Sequence, residues 1–186
     1  MASLAALSEW PDLIKSVIFV EKINKWGVYA ARICWKGVWI EVIIDNFFPV
    51  KDHPPEPCFS HSTFDETWVL VLEKTWAKLH GNYCKIDGGL AREPLHDLTG
   101  APAKTYKPDV GKAVDTEKNL FIWRRIKHGE KKKRKNKLIF IKHAMCAGSI
   151  FYDEDTEEAD EMENDKGLIT GHIYSLISAI NLKING

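Results

Sequence analysis

His172 follows Gly171 and opens an apolar run that contains Ile173, Tyr174, Leu176 and Ile177. A lone histidine on a strand is more often structural than catalytic. A glycine directly before it shifts that balance, because the missing Cβ lets another backbone come close. An imidazole so placed can take and return a proton near neutral pH. The thiols offer less. Cys34, Cys58, Cys84 and Cys146 include no C-x-x-C pair, and no Cys/His group has zinc-site spacing. His143 and Cys146 are near neighbours but lack a second pair, so buried or idle thiols are expected. Thr63-x-x-Glu66 has the form of a capping box before a helical run.

Two charge blocks stand apart from these residues. Residues 127–137 hold seven Lys or Arg against one acid, Glu130, and residues 153–165 hold nine Asp or Glu with no base. Basic runs attract phosphates. This one has no interleaved aromatics for base stacking, and the acidic block offers to neutralise it. Two solvated insertions are expected, and a nucleic-acid partner is not. The acidic run lacks the alternating spacing and turn glycine of an EF-hand loop.

The elements that must position His172 follow from composition and pattern. The chain has 186 residues, 45% hydrophobic and 28% charged, with 26 bases against 26 acids. This describes one globular domain, or two halves sharing a core. Seven Trp supply core material. No stretch is long and apolar enough to span a bilayer. Four Cys are too sparse for a disulfide scaffold, and MASLAALSEWPD has no basic region of a signal peptide. A reducing, cytoplasmic setting fits these features.

Leu4 and Leu7 place residues 1–7 on one face of a buried helix without an N-cap, and Pro11 opens a second short helix through Phe19. Residues 27–35 and 38–45 read as strands joined at Lys36-Gly37. A proline-rich loop covers 46–61. Trp68, Leu72, Trp76 and Leu79 recur at helical spacing until Gly81. Gly100-Ala101-Pro102 breaks the chain and suggests a boundary near residue 101. Residues 115–128 read as a helix, 138–151 as one or two strands, and 167–181 as a strand or strand pair. The chain ends on Asn185-Gly186, which ordinarily turns into another strand. A helix without its start and a sheet without its next strand suggest a fragment of a larger unit.

Five segments in order then carry a family resemblance. GLITGHIYSL at 167–176 resembles the histidine motif of the calpain catalytic core. VWIEVIIDNFFP at 38–49 resembles its W-x-E-V-x-x-D-D-x-x-P hairpin, and ETWVLVLEKTWAKLHGNY at 66–83 its helix. DGGLAREPLHDLTG at 87–100 resembles its S-G-G…D-x-T-G segment, and ASLAALSEWPDLI at 2–14 the helix after its nucleophile. The resemblance covers essentially the whole chain.

It implies an α+β, papain-like cysteine proteinase fold with two lobes, truncated at both ends. Residues 1–100 would form the first lobe without its nucleophile segment. Residues 101–186 would form part of the second, with the insertions at 127–137 and 153–165. His172 matches the catalytic histidine. Gly89 and Gly171 match the glycines whose backbones pair with an extended substrate. Glu66 matches a calcium ligand of the first lobe, a role compatible with the capping box. Protein substrates and calcium-dependent proteolysis are implied.

The departures matter equally. The family's G-x-C-W nucleophile would fall upstream of Met1, and none of the four Cys present can take its place. The family's N-P-W asparagine has no match, since neither Asn181 nor Asn185 precedes Pro-Trp. Ala101 replaces a usual glycine. A thiolate mechanism needs nucleophile, base and orienting group together. The 186 residues alone are therefore expected to be inactive. A non-catalytic calpain-like binding or regulatory protein is the alternative reading.

Overall fold

Lys36 and Gly37 take φ values of 52° and 83°. Tight hairpin turns require this left-handed pair, because its twist matches that of the flanking strands. The computed structural model describes residues 2–20, 24–53, 55–62, 64, 66–109, 115–128, 143–149, 167–169 and 171–180. Its helices and strands make an α+β chain that divides into two compact units, residues 1–103 and 104–186.

In the first unit, β1 (Val28–Trp35) and β2 (Val38–Asp45) pair antiparallel, as their sequence pattern leads one to expect. Tyr29 faces Ile44, Ala31 faces Val42 and Ile33 faces Ile40, so the alternation puts one apolar face inward. Before them, α1 (Ala2–Ser8) buries Ser3, Ala6 and Leu7. Helix α2 (Pro11–Val17) starts on Pro11, whose fixed φ suits a first helical position. It hands over to β1 through an Ile18–Ala31 bridge.

Helix α3 (Trp68–His80) packs on both strands and ends at Gly81, φ 104°. Its deepest side chains are Val71, Leu72, Thr75 and Ala77, all 2% exposed or less. The large Trp76 turns outward enough to meet Trp35 edge-on, with centroids 6.4 Å apart. Lys74 reaches back to the Asp45 carboxylate and the Phe47 carbonyl, and Lys78 donates to the Ile43 carbonyl at 2.7 Å. These lysines fasten the helix to the end of β2.

Two details differ from expectation. The segment at 46–61 holds a small ribbon, β3 (Val50–Lys51) with β4 (Glu56–Pro57). Buried Ser60 ties that segment to Glu73 of α3, its backbone N–H donating at 3.1 Å. The capping box is also overturned. Helix α3 begins at Trp68 with Thr67 as N-cap and no side-chain cap bond, so Glu66 precedes the helix.

A 3₁₀ turn (Tyr83–Ile86) leads to α4 (Arg92–Thr99). Gly100 ends α4 with φ 66°, and a Cβ there would lie 2.8 Å from the Trp39 ring. Both the backbone angle and the close approach require glycine. Ser3 Oγ donates to the Ala91 carbonyl at 3.2 Å, joining the first helix to the entrance of α4.

In the second unit, α5 (Thr116–His128) buries Ile122. Asn119 binds the Asp109 backbone through both its amide atoms, at 2.8 Å each. Strands β5 (Cys146–Gly148) and β6 (Ile173–Ser175) form an antiparallel ribbon within the segments where strands are expected. Residues 129–142 and 150–166 lie outside the described residues, and with them most of the basic run and all of the acidic run. Asn181 and Asn185 lie outside them too. Among the described residues no helix is long and apolar enough to cross a membrane.

Candidate functional site

His172 sits at the entrance to β6, its side chain exposed and its backbone held. The Ser149 N–H donates to the His172 carbonyl at 2.9 Å, and the Gly171 N–H donates to the Ser149 carbonyl at 2.6 Å. The Ser149 hydroxyl binds the Ile169 carbonyl and lies 3.2 Å from the His172 carbonyl. Gly171 has φ 69°, a conformation L side chains rarely adopt. Two residues along the same strand face, Tyr174 sets its ring 4.9 Å from the imidazole in an edge-on contact. The Tyr174 hydroxyl in turn accepts from the Ile169 N–H at 2.9 Å. The ring is thus steered by Tyr174 while the main chain is clamped by Ser149. Such an arrangement suits proton transfer, which needs a fixed, accessible imidazole.

Ser149 and Tyr174 are the residues that pattern reading misses here. The alternation His172–Tyr174 is a usable signal for one of them. Nothing local marks Ser149, which reaches the histidine only through strand pairing.

The other candidate residues belong to the first unit. Gly89 is exposed with φ 147°, and the space a Cβ would occupy is open. Its backbone is therefore available on that side. Glu66 is also exposed, and its Oε2 accepts from Ser62 Oγ at 3.1 Å and from Trp68 Nε1 at 3.0 Å. It borders an apolar cavity of about 300 Å³ lined by Ile14, Ile18, Tyr29, Trp68 and Val71. A calcium ion needs six to eight oxygen ligands. Among the described residues no group of three or more His, Cys, Asp or Glu could hold a metal ion.

The thiols divide by burial: Cys34 is inside the core, Cys84 is exposed, and all four are reduced. Burial perturbs the titration of two further groups of the first unit. The Tyr83 phenol, stacked on Phe59 at 5.0 Å, is pushed up to about 12 by burial and by the nearby Glu73 and Asp45 carboxylates. Asp97 is raised, mainly by burial.

Comparison with known proteins agrees with the motif reading. The family described as calpain family cysteine protease matches residues 1–186. The chain is 30% identical over 178 residues to the calpain-type cysteine protease ADL1 of Oryza sativa, covering 95% of this chain and 7% of that protein. It is 33% identical over 180 residues to Calpain-A of Drosophila melanogaster, covering 95% of this chain and 19% of that protein. Against the Calpain-2 catalytic subunit of Homo sapiens it is 27% identical over 193 residues, which is 24% of that protein. The chain therefore spans less than a quarter of the length of these relatives. With the family match over its whole length and the histidine motif in order, the chain belongs to the calpain family of cysteine proteases.

Proposed function

We propose that these residues form part of a papain-like, calcium-dependent cysteine endopeptidase core that cleaves proteins in the cytoplasm, with His172 as its base. The observation that carries this reading is the exposed imidazole on a clamped backbone, in a chain of this family. In the first step, His172 takes the proton from a cysteine thiol. The thiolate then attacks the substrate carbonyl carbon, and the imidazolium returns the proton to the departing amine. A thioester remains. Water, losing a proton to His172, releases the acid and restores the thiol.

Within residues 1–186 no cysteine takes the nucleophile's role, and no asparagine takes that of the orienting group. Residues 1–100 are assigned to the first lobe and 101–186 to the second. Gly89 and Gly171 are assigned to main-chain pairing with the substrate. The second assignment concerns the Gly171 carbonyl, because its N–H is already given to Ser149. Glu66 is assigned as one calcium ligand, and no step runs through the ion.

Casein hydrolysis tests the proposal in two forms of the protein. The 186-residue chain alone is expected to show none. In the native polypeptide, His172→Ala is expected to lower kcat/KM by about 10³-fold or more without changing the thermal midpoint. Thiol-alkylator-sensitive cleavage by the 186-residue chain, or full activity in the His172→Ala protein, would overturn it.

A further inference from the structure

Helix α5 presents a face that none of the roles above uses. Its inward stripe is Asn119, Ile122, Trp123 and Ile126, at the i, i+3, i+4, i+7 spacing of a packed helix, and these side chains are buried or half-buried. Leu120 and Phe121 instead remain 42% and 46% exposed. Cations surround them. Arg124 and Arg125 are exposed one turn further on, and the Arg125 guanidinium lies 5.1 Å from the centre of the Phe121 ring. Tyr106 meets Phe121 edge-on at 6.2 Å, and the exposed Lys104 lies 5.3 Å from the centre of the Tyr106 ring. The helix carries four Lys or Arg against one acid, Glu117. Among the described residues Lys118 takes up Asp109, and no carboxylate pairs with Lys104, Arg124 or Arg125. The basic run of the sequence begins in the last turn of this helix, at Lys127.

Exposed apolar side chains ringed by unpaired cations fit an anionic partner that also has an apolar layer. Three kinds of partner differ in what they need. A single-stranded nucleic acid stacks its bases on open ring faces. Here Arg125 lies over the Phe121 ring and Lys104 over the Tyr106 ring. An acidic protein groove takes the apolar stripe of a helix. In α5 that stripe is turned inward and would have to leave the unit. A membrane surface needs neither an open ring face nor the inward stripe. Leu120 and Phe121 can enter the headgroup layer as they stand, while the long cationic side chains stay at the lipid phosphates and carboxylates.

We propose that the Leu120–Phe121 face of α5 docks on an anionic membrane surface, with Lys104, Arg124 and Arg125 against the lipid headgroups. The contact is peripheral and reversible, since two apolar side chains and a few charges hold far less tightly than a spanning helix. It is independent of the peptidase reading and needs none of its residues.

The test is flotation of the protein with two kinds of vesicle, phosphatidylcholine alone and phosphatidylcholine with about 30% phosphatidylserine. The protein is expected to float with the anionic vesicles and to stay behind with the neutral ones. Raising salt from about 0.05 M to about 0.5 M should weaken the anionic partitioning about tenfold or more. Replacing both arginines, Arg124→Gln with Arg125→Gln, should weaken it by about tenfold or more. Leu120→Ala with Phe121→Ala should cost about tenfold at unchanged salt dependence. Equal flotation with both vesicles, or flotation with neither, would sink the proposal. Undiminished flotation of the double arginine variant would move the site off α5 and overturn it as well. Undiminished flotation of the Leu120 and Phe121 variant would overturn the insertion of these side chains. Tighter retention on single-stranded RNA than on the anionic vesicles, at matched salt, would overturn the choice of a membrane. The lipid and salt comparisons use the unaltered protein, so they discriminate even if a double variant fails to fold.

Discussion

The two units hold their functional residues by different means. The first is built on buried apolar contact: Ile33, Leu72, Val71 and Leu7 are each 2% exposed or less. Among the described residues of the second, Ile122 is the one buried apolar side chain, at 8% exposed. His172 is held by main-chain hydrogen bonds between two three-residue strands and by one hydroxyl. Burial is non-directional, so the first unit tolerates small displacements. Hydrogen bonds are directional, so the ribbon fixes an angle at His172 without needing a large core.

The contrast can be broken most forcefully inside the first core. Leu72→Ala, at a side chain 1% exposed, should cost about 2–5 kcal/mol. Chemical denaturation would register the loss. A change below about 0.5 kcal/mol would mean that the apolar layer is not what stabilises this unit.

Gly100→Ala is expected to cost less, about 1–2 kcal/mol. The new methyl would need a φ of 66° and would press on the Trp39 ring at 2.8 Å. A crystal structure of the variant should show Trp39 displaced. An undisturbed Trp39 with unchanged stability would contradict the close approach.

Asp97→Asn works in the opposite direction. Burial raises the Asp97 pKa, so above that raised value the charged carboxylate lowers stability. The penalty fades as pH falls through the raised value, and it is gone below the ordinary carboxylate range. The variant should therefore melt higher than the parent at pH 7 and alike near about pH 3. A lower midpoint at pH 7 would show that the carboxylate has a stabilising partner.

Ser149→Ala sharpens the other side of the comparison with the smallest effect on melting. The thermal midpoint should move by no more than about 1–2 °C, roughly 0.5 kcal/mol. Amide exchange at Gly171 should nonetheless quicken, since the lost hydroxyl binds the Ile169 and His172 carbonyls on either side of that N–H. Unchanged exchange would mean that the hydroxyl does nothing for the ribbon.

Local chemistry decided how much of this was legible beforehand. Lys36-Gly37 announced its turn because few dipeptides accept two left-handed residues. Trp68, Leu72, Trp76 and Leu79 announced helix α3 by their spacing, yet the face buried most deeply runs through Val71, Leu72 and Thr75. Spacing gives the helix but not which of two overlapping apolar stripes wins, because that depends on the strands beneath. Glu66 misled, since its distance from Thr63 imitates a cap while its carboxylate serves Ser62 and Trp68. Asp97 was silent for the same reason. A single acid on an amphipathic helix reads as solvent-facing, and its burial is decided by the packing of α4 on β1, far away in sequence. His172 and its glycine were legible, whereas Ser149 enters through pairing between β5 and β6.

The bond from Ser3 to the Ala91 carbonyl also has a consequence in time. The two residues are 88 positions apart. On a ribosome adding about 5–20 residues per second, α1 leaves the tunnel roughly 4–18 s before its anchor does. The hairpin turned at Lys36-Gly37 can close within microseconds of emerging. The first helix can meet α2 at once but lacks its packing against α4 until residue 91 and those after it arrive. Synthesis speed through α3 and α4 thus sets how long the nascent chain shows that unpacked side of α1 to chaperones and to neighbouring chains.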